Sequence, residues 1–182
     1  MTQTVLVIAA IGTSGSGKTT TLEYLISILA SEGYRIGTIK HICHRSFKID
    51  KEGTNTWRYN KAGSKVIAAI SVEEIVLIRK AEATLNDLNQ VISLLGNEEL
   101  DIIFIEGFHN LTAKRQDVLK IITAKDSNDL TETLKETVPP ILVITGVVGQ
   151  QKLQNELGIP VINVPAEGKQ LLKLVKEHLK AK

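Results

Sequence analysis

Apolar runs, separated by glycines, divide the chain into elements. Val5 to Ile11 is unbroken apolar sequence and predicts a core strand. From Thr20 to Ser31, Leu22, Leu25, Ile26 and Leu29 recur at helical spacing, and Gly33 stops the helix. Arg35 to Ile39 reads as a second strand, and Asn55 to Gly63 as a short helix. Lys65 to Ile70 and Ile75 to Ile78 predict two short strands, joined by a tight turn and lying at one side of the sheet. Leu85, Leu88, Val91, Ile92 and Leu95 mark an amphipathic helix over Ala83 to Leu95, closed by Gly96-Asn97.

Ile102 to Ile105 is a second fully apolar run and predicts a central strand. Residues 109–116 are polar, without period, and read as a loop. Val118 to Thr123 and Ile141 to Thr145 predict further strands; Pro139-Pro140 bars a helix from running into the second. Ile159 to Val164 reads as a last short strand, and Leu171 to Leu179 as a basic amphipathic helix closing a sheet face. The alternation predicts an α/β fold with a mostly parallel central sheet and helices on both faces, in a single domain over residues 1–182.

Between the first strand and the first helix stands Gly12-Thr13-Ser14-Gly15-Ser16-Gly17-Lys18-Thr19-Thr20. This is the G-x-x-x-x-G-K-[ST] phosphate loop in the context its mechanism needs, so the fold is of the phosphate-loop NTPase type. The glycines let backbone amides turn inward, and the helix adds its free N–H groups and dipole. Lys18 supplies a point charge for the β/γ-phosphates, and the Thr19 hydroxyl is a ligand for Mg²⁺.

The second informative stretch is Glu106-Gly107-Phe108, at the end of the central strand. A carboxylate there meets the Mg²⁺ shell or orients a water, and Gly107 lets backbone approach a terminal phosphate. Asp101, at the start of the same strand, falls at the wrong edge. Gly146-Val147-Val148-Gly149, after the Ile141–Thr145 strand, reads as a flexible loop placed to touch base or phosphate.

Composition changes this picture little. The 182 residues are 43% hydrophobic and 23% charged, an ordinary globular balance for one domain. Net charge is +2, too small for general nucleic-acid binding. Within 40–65, seven basic residues (Lys40, Arg45, Lys48, Lys51, Arg58, Lys61 and Lys65) face only Asp50 and Glu52, so this segment carries +5 and the remainder −3. It begins at the end of the second strand, where ligands of α/β sheets lie, and so predicts anion contact. Trp57 and Tyr59 within it offer rings for stacking or for packing. Cys43 is the single cysteine, which suits a reducing, cytoplasmic setting. No apolar run reaches the length of a membrane span. His41, Cys43 and His44 form a possible ligand cluster, but only His109 stands elsewhere to complete a zinc site.

These blocks resemble the molybdopterin-guanine dinucleotide biosynthesis protein B (MobB) family. The resemblance rests on Gly12 to Thr20, on Lys40-His41-x-x-His44 followed by Asp50, Gly53, Arg58 and Ala62-Gly63, and on Glu106-Gly107-Phe108. It spans about the first 110 residues. It implies a GTP-binding protein that uses Mg²⁺, hydrolyses GTP slowly, forms a homodimer, and helps a guanylyltransferase attach GMP to molybdopterin. By position it implies Gly15, Gly17, Lys18, Thr19 and Thr20 on the phosphates and Thr19, Asp50 and Glu106 at Mg²⁺. His41, His44 and Arg58 then face substrate or partner. Guanine follows from the resemblance alone, since Thr123-Ala124-Lys125-Asp126 does not fit the N-K-x-D signature. A small-molecule kinase, and a nucleotide-switched partner or metallochaperone-type protein, are the alternatives.

Overall fold

Five strands, with Lys120 the one charged residue in their interiors, assemble the main sheet. In the computed structural model, which describes residues 5–44, 47–79, 86–96, 98–151 and 158–181, they are β1 (Leu6–Ile11), β2 (Ile36–Lys40), β5 (Ile102–Glu106), β6 (Leu119–Thr123) and β7 (Ile141–Thr145). Their order is β2-β5-β1-β6-β7 and every pairing is parallel. All five therefore end at the same edge. The helices are α1 (Lys18–Ser31), α2 (Asn55–Lys61), α3 (Leu88–Ser93), α4 (His109–Thr112), α5 (Ser127–Lys135) and α6 (Gly168–Lys180).

The period of two in a strand sorts the core into two layers. Ile8 and Ala10 of β1, with Ile102 and Phe104 of β5, meet Leu22, Leu25 and Leu29 of α1 and Leu171 and Val175 of α6. Ala9, Ile11, Ile103 and Ile105 point the other way, against Leu88 of α3 and Leu130 of α5. Each fully buried Leu, Ile or Phe contributes about 1.5–3 kcal/mol, so double-faced burial explains why β1 and β5 carry no polar interior position. Helices on both faces of a parallel sheet are what the strand–helix alternation predicts.

The chain divides into two compact units, residues 1–41 with 86–182, and residues 42–85. The first holds the main sheet. In the second, β3 (Val66–Ile70) and β4 (Ile75–Arg79) form a two-stranded antiparallel sheet with α2 before it. The tight turn between them is present, with Ser71 N–H donating to Glu74 O at 2.8 Å. They form a sheet of their own: among the described residues they pair only with each other.

Other boundaries differ for physical reasons. The helix expected from Ala83 spans only Leu88–Ser93, because the Asp87 carboxylate caps it at Asn89 N–H; residues 83–85 lie outside the described ones. Residues 109–116 are not all loop: α4 takes one turn, with Thr112 Oγ1 bonded back to Phe108 O at 3.0 Å. Ile159 to Val164 makes a single bridge, Ile144 to Val161, instead of a strand. Helix α5 goes unpredicted, since it buries only Leu130 and Thr133, too few positions for a period.

Candidate functional site

The site grows from the carboxyl ends of β1, β2 and β5. Parallel registry sets Ala10 opposite Glu106 and Lys40 opposite Glu106, so the acidic strand end lies beside the strand that delivers the glycine loop. Gly17 ends the loop at φ 102°, where a side chain is strained, and α1 starts at Lys18 with no side chain capping it. The first-turn N–H groups are thus left for a ligand, and no acid stands in that turn to compete.

Two inward contacts hold the loop. Ser16 is fully buried; its Oγ donates to Thr13 O at 2.9 Å and lies 2.6 Å from Thr123 Oγ1. The Ser16 hydroxyl is therefore occupied by the scaffold. Gly146 is the second contact. A Cβ built there would lie 2.0 Å from Ser16 O, at φ 90°. Gly146 to Gly149 is accordingly not an irregular loop: it leads into a 3-10 turn over Val147–Gln150, with Val148 fully buried and its N–H donating to Ala124 O at 2.9 Å.

At the mouth of the loop, Lys18 Nζ donates to Gly12 O at 2.9 Å and to Thr13 O at 2.5 Å. Burial pushes the Lys18 ammonium below its usual value, opposed in part by Glu106. The Thr19 hydroxyl donates to Glu106 Oε2 at 3.0 Å and lies 3.1 Å from Oε1. Thr13, Ser14, Gly15 and Thr20 are exposed. Gly107 takes φ 88°, and a Cβ on it would come 2.8 Å from His41 Cβ. The His41 ring stacks on Phe108, centroids 4.3 Å apart, and the His41 N–H extends the ladder to Glu106 O at 2.9 Å. Lys18, Thr19, Glu106, Gly107 and His41 thus meet at one sheet edge. Asp101 sits at the opposite end of β5, tied to Arg35.

Asp50, His44 and Arg58 belong to the second unit. Asp50 is 8% exposed; Thr54 and Thr56 hydroxyls donate to its Oδ1 at 3.2 and 2.8 Å, while Oδ2 is buried with no hydrogen-bond partner among the described residues. His44 and Arg58 are exposed, and Arg45 lies outside the described residues. Trp57 carries the Lys61 ammonium 5.3 Å from its ring centroid, while Tyr59 is exposed. No group of three or more His, Cys, Asp or Glu comes together for a metal among the described residues.

One contact and one residue escape sequence reasoning. Lys40 is named there in the basic segment, but not its pairing: Lys40 Nζ donates to Glu106 Oε1 at 2.9 Å. Asp129 accepts from Thr13 Oγ1 and from Lys125 N–H, each at 2.9 Å. Its signal was Asp126, three residues before it, which caps α5 by accepting the Asp129 N–H at 2.9 Å.

A strand, a glycine loop and a helix beside a second acid-ended parallel strand define a phosphate-loop α/β protein. A model of the family described as "Molybdopterin guanine dinucleotide synthesis protein B" (MobB) matches residues 7–143, and the chain belongs to that family. It is 30% identical over 133 residues to the molybdopterin-guanine dinucleotide biosynthesis adapter protein of Haemophilus influenzae, covering 73% of this chain and 70% of that one. A relative from Methanocaldococcus jannaschii is 34% identical over 122 residues, 67% of this chain and 48% of its own length. The matched part of the chain thus spans from about half to seven tenths of these curated relatives. The crystal structure of Bacillus subtilis MobB superposes with a TM-score of 0.73 at 25% identity, covering 93% of this chain and 97% of that one.

Proposed function

We propose that this chain is a Mg²⁺-dependent GTP-binding adapter of molybdenum cofactor biosynthesis, acting in the cytoplasm. In this reading it hydrolyses GTP slowly and, as a homodimer, assists a guanylyltransferase that attaches GMP to molybdopterin. The adapter role is drawn from the family and from the name of the Haemophilus influenzae relative. The observation that carries nucleotide binding is the meeting of Thr19 and Glu106 at the uncapped start of α1.

The donors suit Mg²⁺. A hydroxyl and a carboxylate 3.0–3.1 Å apart are hard oxygen ligands near the separation of two neighbouring vertices in an octahedron with bonds of about 2.0–2.1 Å. Asp50, in the second unit, is the third oxygen that the family resemblance implies at the metal. Bound Mg²⁺ supplies charge neutralisation to the β- and γ-phosphate oxygens.

The chain's own groups do the rest. Lys18 exchanges two loop carbonyls for phosphate oxygens. Loop amides and the α1 N-terminus orient the β-phosphate, and Gly107 admits backbone to the terminal one. Hydrolysis is slow because the side chains bonded to the loop among the described residues, Glu106, Thr123 and Asp129, include neither a glutamine nor an arginine. Lys18, Glu106 and Asp50 are its catalytic set, and His41, His44 and Arg58 its basic contacts to substrate or partner.

Calorimetric titration with non-hydrolysable GTP and ATP analogues, with Mg²⁺ present, tests this reading. Tight binding of the guanine analogue alone is the expected result. A preference for ATP moves the chain to a kinase or ATP-driven switch, and no binding of either overturns the reading.

A further inference from the structure

Lys40 ends β2, and the sheet register sets it directly across from Glu106. Its ammonium lies 2.9 Å from Glu106 Oε1, the same oxygen that Thr19 approaches at 3.1 Å. A cation of the chain itself therefore neutralises the carboxylate oxygen that Thr19 also approaches. The two partners differ in freedom: the Lys40 side chain is 53% exposed and the Glu106 side chain 16%. The carboxylate is held, whereas the lysine can swing away on its four-carbon stem. One carboxylate oxygen cannot serve an ammonium and a dication together without placing two positive charges within a few ångströms of each other.

We propose that Lys40 is the resident counter-cation of Glu106, displaced when a divalent cation arrives with a triphosphate, and so sets the metal concentration at which the site closes on nucleotide. The inference rests on reading the site as a Mg²⁺–nucleotide site. Once displaced, the Lys40 ammonium is available to the triphosphate that arrives with the metal. The empty site thus keeps Glu106 neutralised, and the filled site gains a second lysine beside Lys18. A plain ion pair stitching β2 to β5 would behave differently: its loss would lower the melting temperature and leave the metal requirement where it was.

The test is equilibrium binding of a fluorescent non-hydrolysable GTP analogue to the full chain while Mg²⁺ is varied, for wild type, Lys40→Met and Lys40→Arg. Lys40→Met should lower the half-saturating Mg²⁺ about threefold, the scale of one half-exposed ion pair, and Lys40→Arg should restore it. At saturating Mg²⁺, Lys40→Met should weaken the triphosphate analogue and leave GDP unchanged. A half-saturating Mg²⁺ that is unchanged or raised in Lys40→Met overturns the inference while leaving nucleotide binding intact. If wild type binds no nucleotide, the functional reading falls instead. Mn²⁺ titration of the nucleotide-free protein by electron paramagnetic resonance then tests Lys40 alone: Lys40→Met must bind Mn²⁺ about threefold more tightly, and equal binding sinks the proposal.

Discussion

The Thr19 hydroxyl donates to the Glu106 carboxylate across 87 residues of sequence, 3.0 Å from Oε2 and 3.1 Å from Oε1. This bond joins the start of α1 to the end of β5. Replacing the carboxylate by an amide keeps its shape and removes the charge that attracts a dication. Glu106→Gln should weaken Mg²⁺-dependent nucleotide binding about tenfold or more and leave binding in chelator nearly unchanged. Parallel titrations with and without Mg²⁺ check this; equal losses in both would remove Glu106 from the metal's surroundings.

Lys18 brings a pH dependence. Burial disfavours its charged form, so its folded value lies below the ordinary 10.5. Below that lowered value the lysine is protonated in both folded and unfolded chains, and the burial cost is fully present. As pH rises through it the folded chain releases its proton first, so this contribution to stability improves with pH up to 10.5. Phosphate affinity runs the other way, because the ammonium is the ligand. Nucleotide affinity should start to fall at a pH below 10.5, and Lys18→Ala should bind weakly with no such slope. Affinity measured from neutral pH to 10.5 decides it.

Gly146 tests the packing of the loop. A methyl group there meets Ser16 O at 2.0 Å and forces a side chain into φ 90°. Gly146→Ala should cost about 2–4 kcal/mol, a melting drop of roughly 5–10 °C for a chain of this size. It should also weaken nucleotide binding, because the displaced backbone belongs to the phosphate loop. A variant that melts like wild type would show that the close approach is dispensable.

Asp101 marks the far edge of the same strand. Hydrogen bonds from the Arg35 side chain and backbone hold its carboxyl below the ordinary 3.8. Its stabilising contribution is complete above 3.8 and is lost as pH falls through the depressed value. Asp101→Asn should melt slightly lower at neutral pH and converge with wild type in acid, without altering nucleotide affinity. Melting curves from pH 2 to 6 provide the check.

Much of the site was readable along the chain because its chemistry is local. The loop from Gly12 to Thr19 and the helix behind it need only neighbouring residues, and β1 and β5 announce themselves by burying both faces. The acid of Glu106-Gly107 could be assigned because it follows such a strand. Asp126 and Asp129 held a capping signal for α5, but two buried positions gave no period to read.

The sheet order belongs to the tertiary structure. By placing β5 between β2 and β1, it puts Lys40 on Glu106 from 66 residues away and Thr19 on the same carboxylate. No spacing rule encodes that neighbourhood, because strand adjacency depends on which crossover covers which face. The inward turn of Ser16 onto Thr123, and the burial of Gly146 against the loop, have the same origin. Local sequence chose the phosphate loop, and long-range packing chose the side chains that surround it.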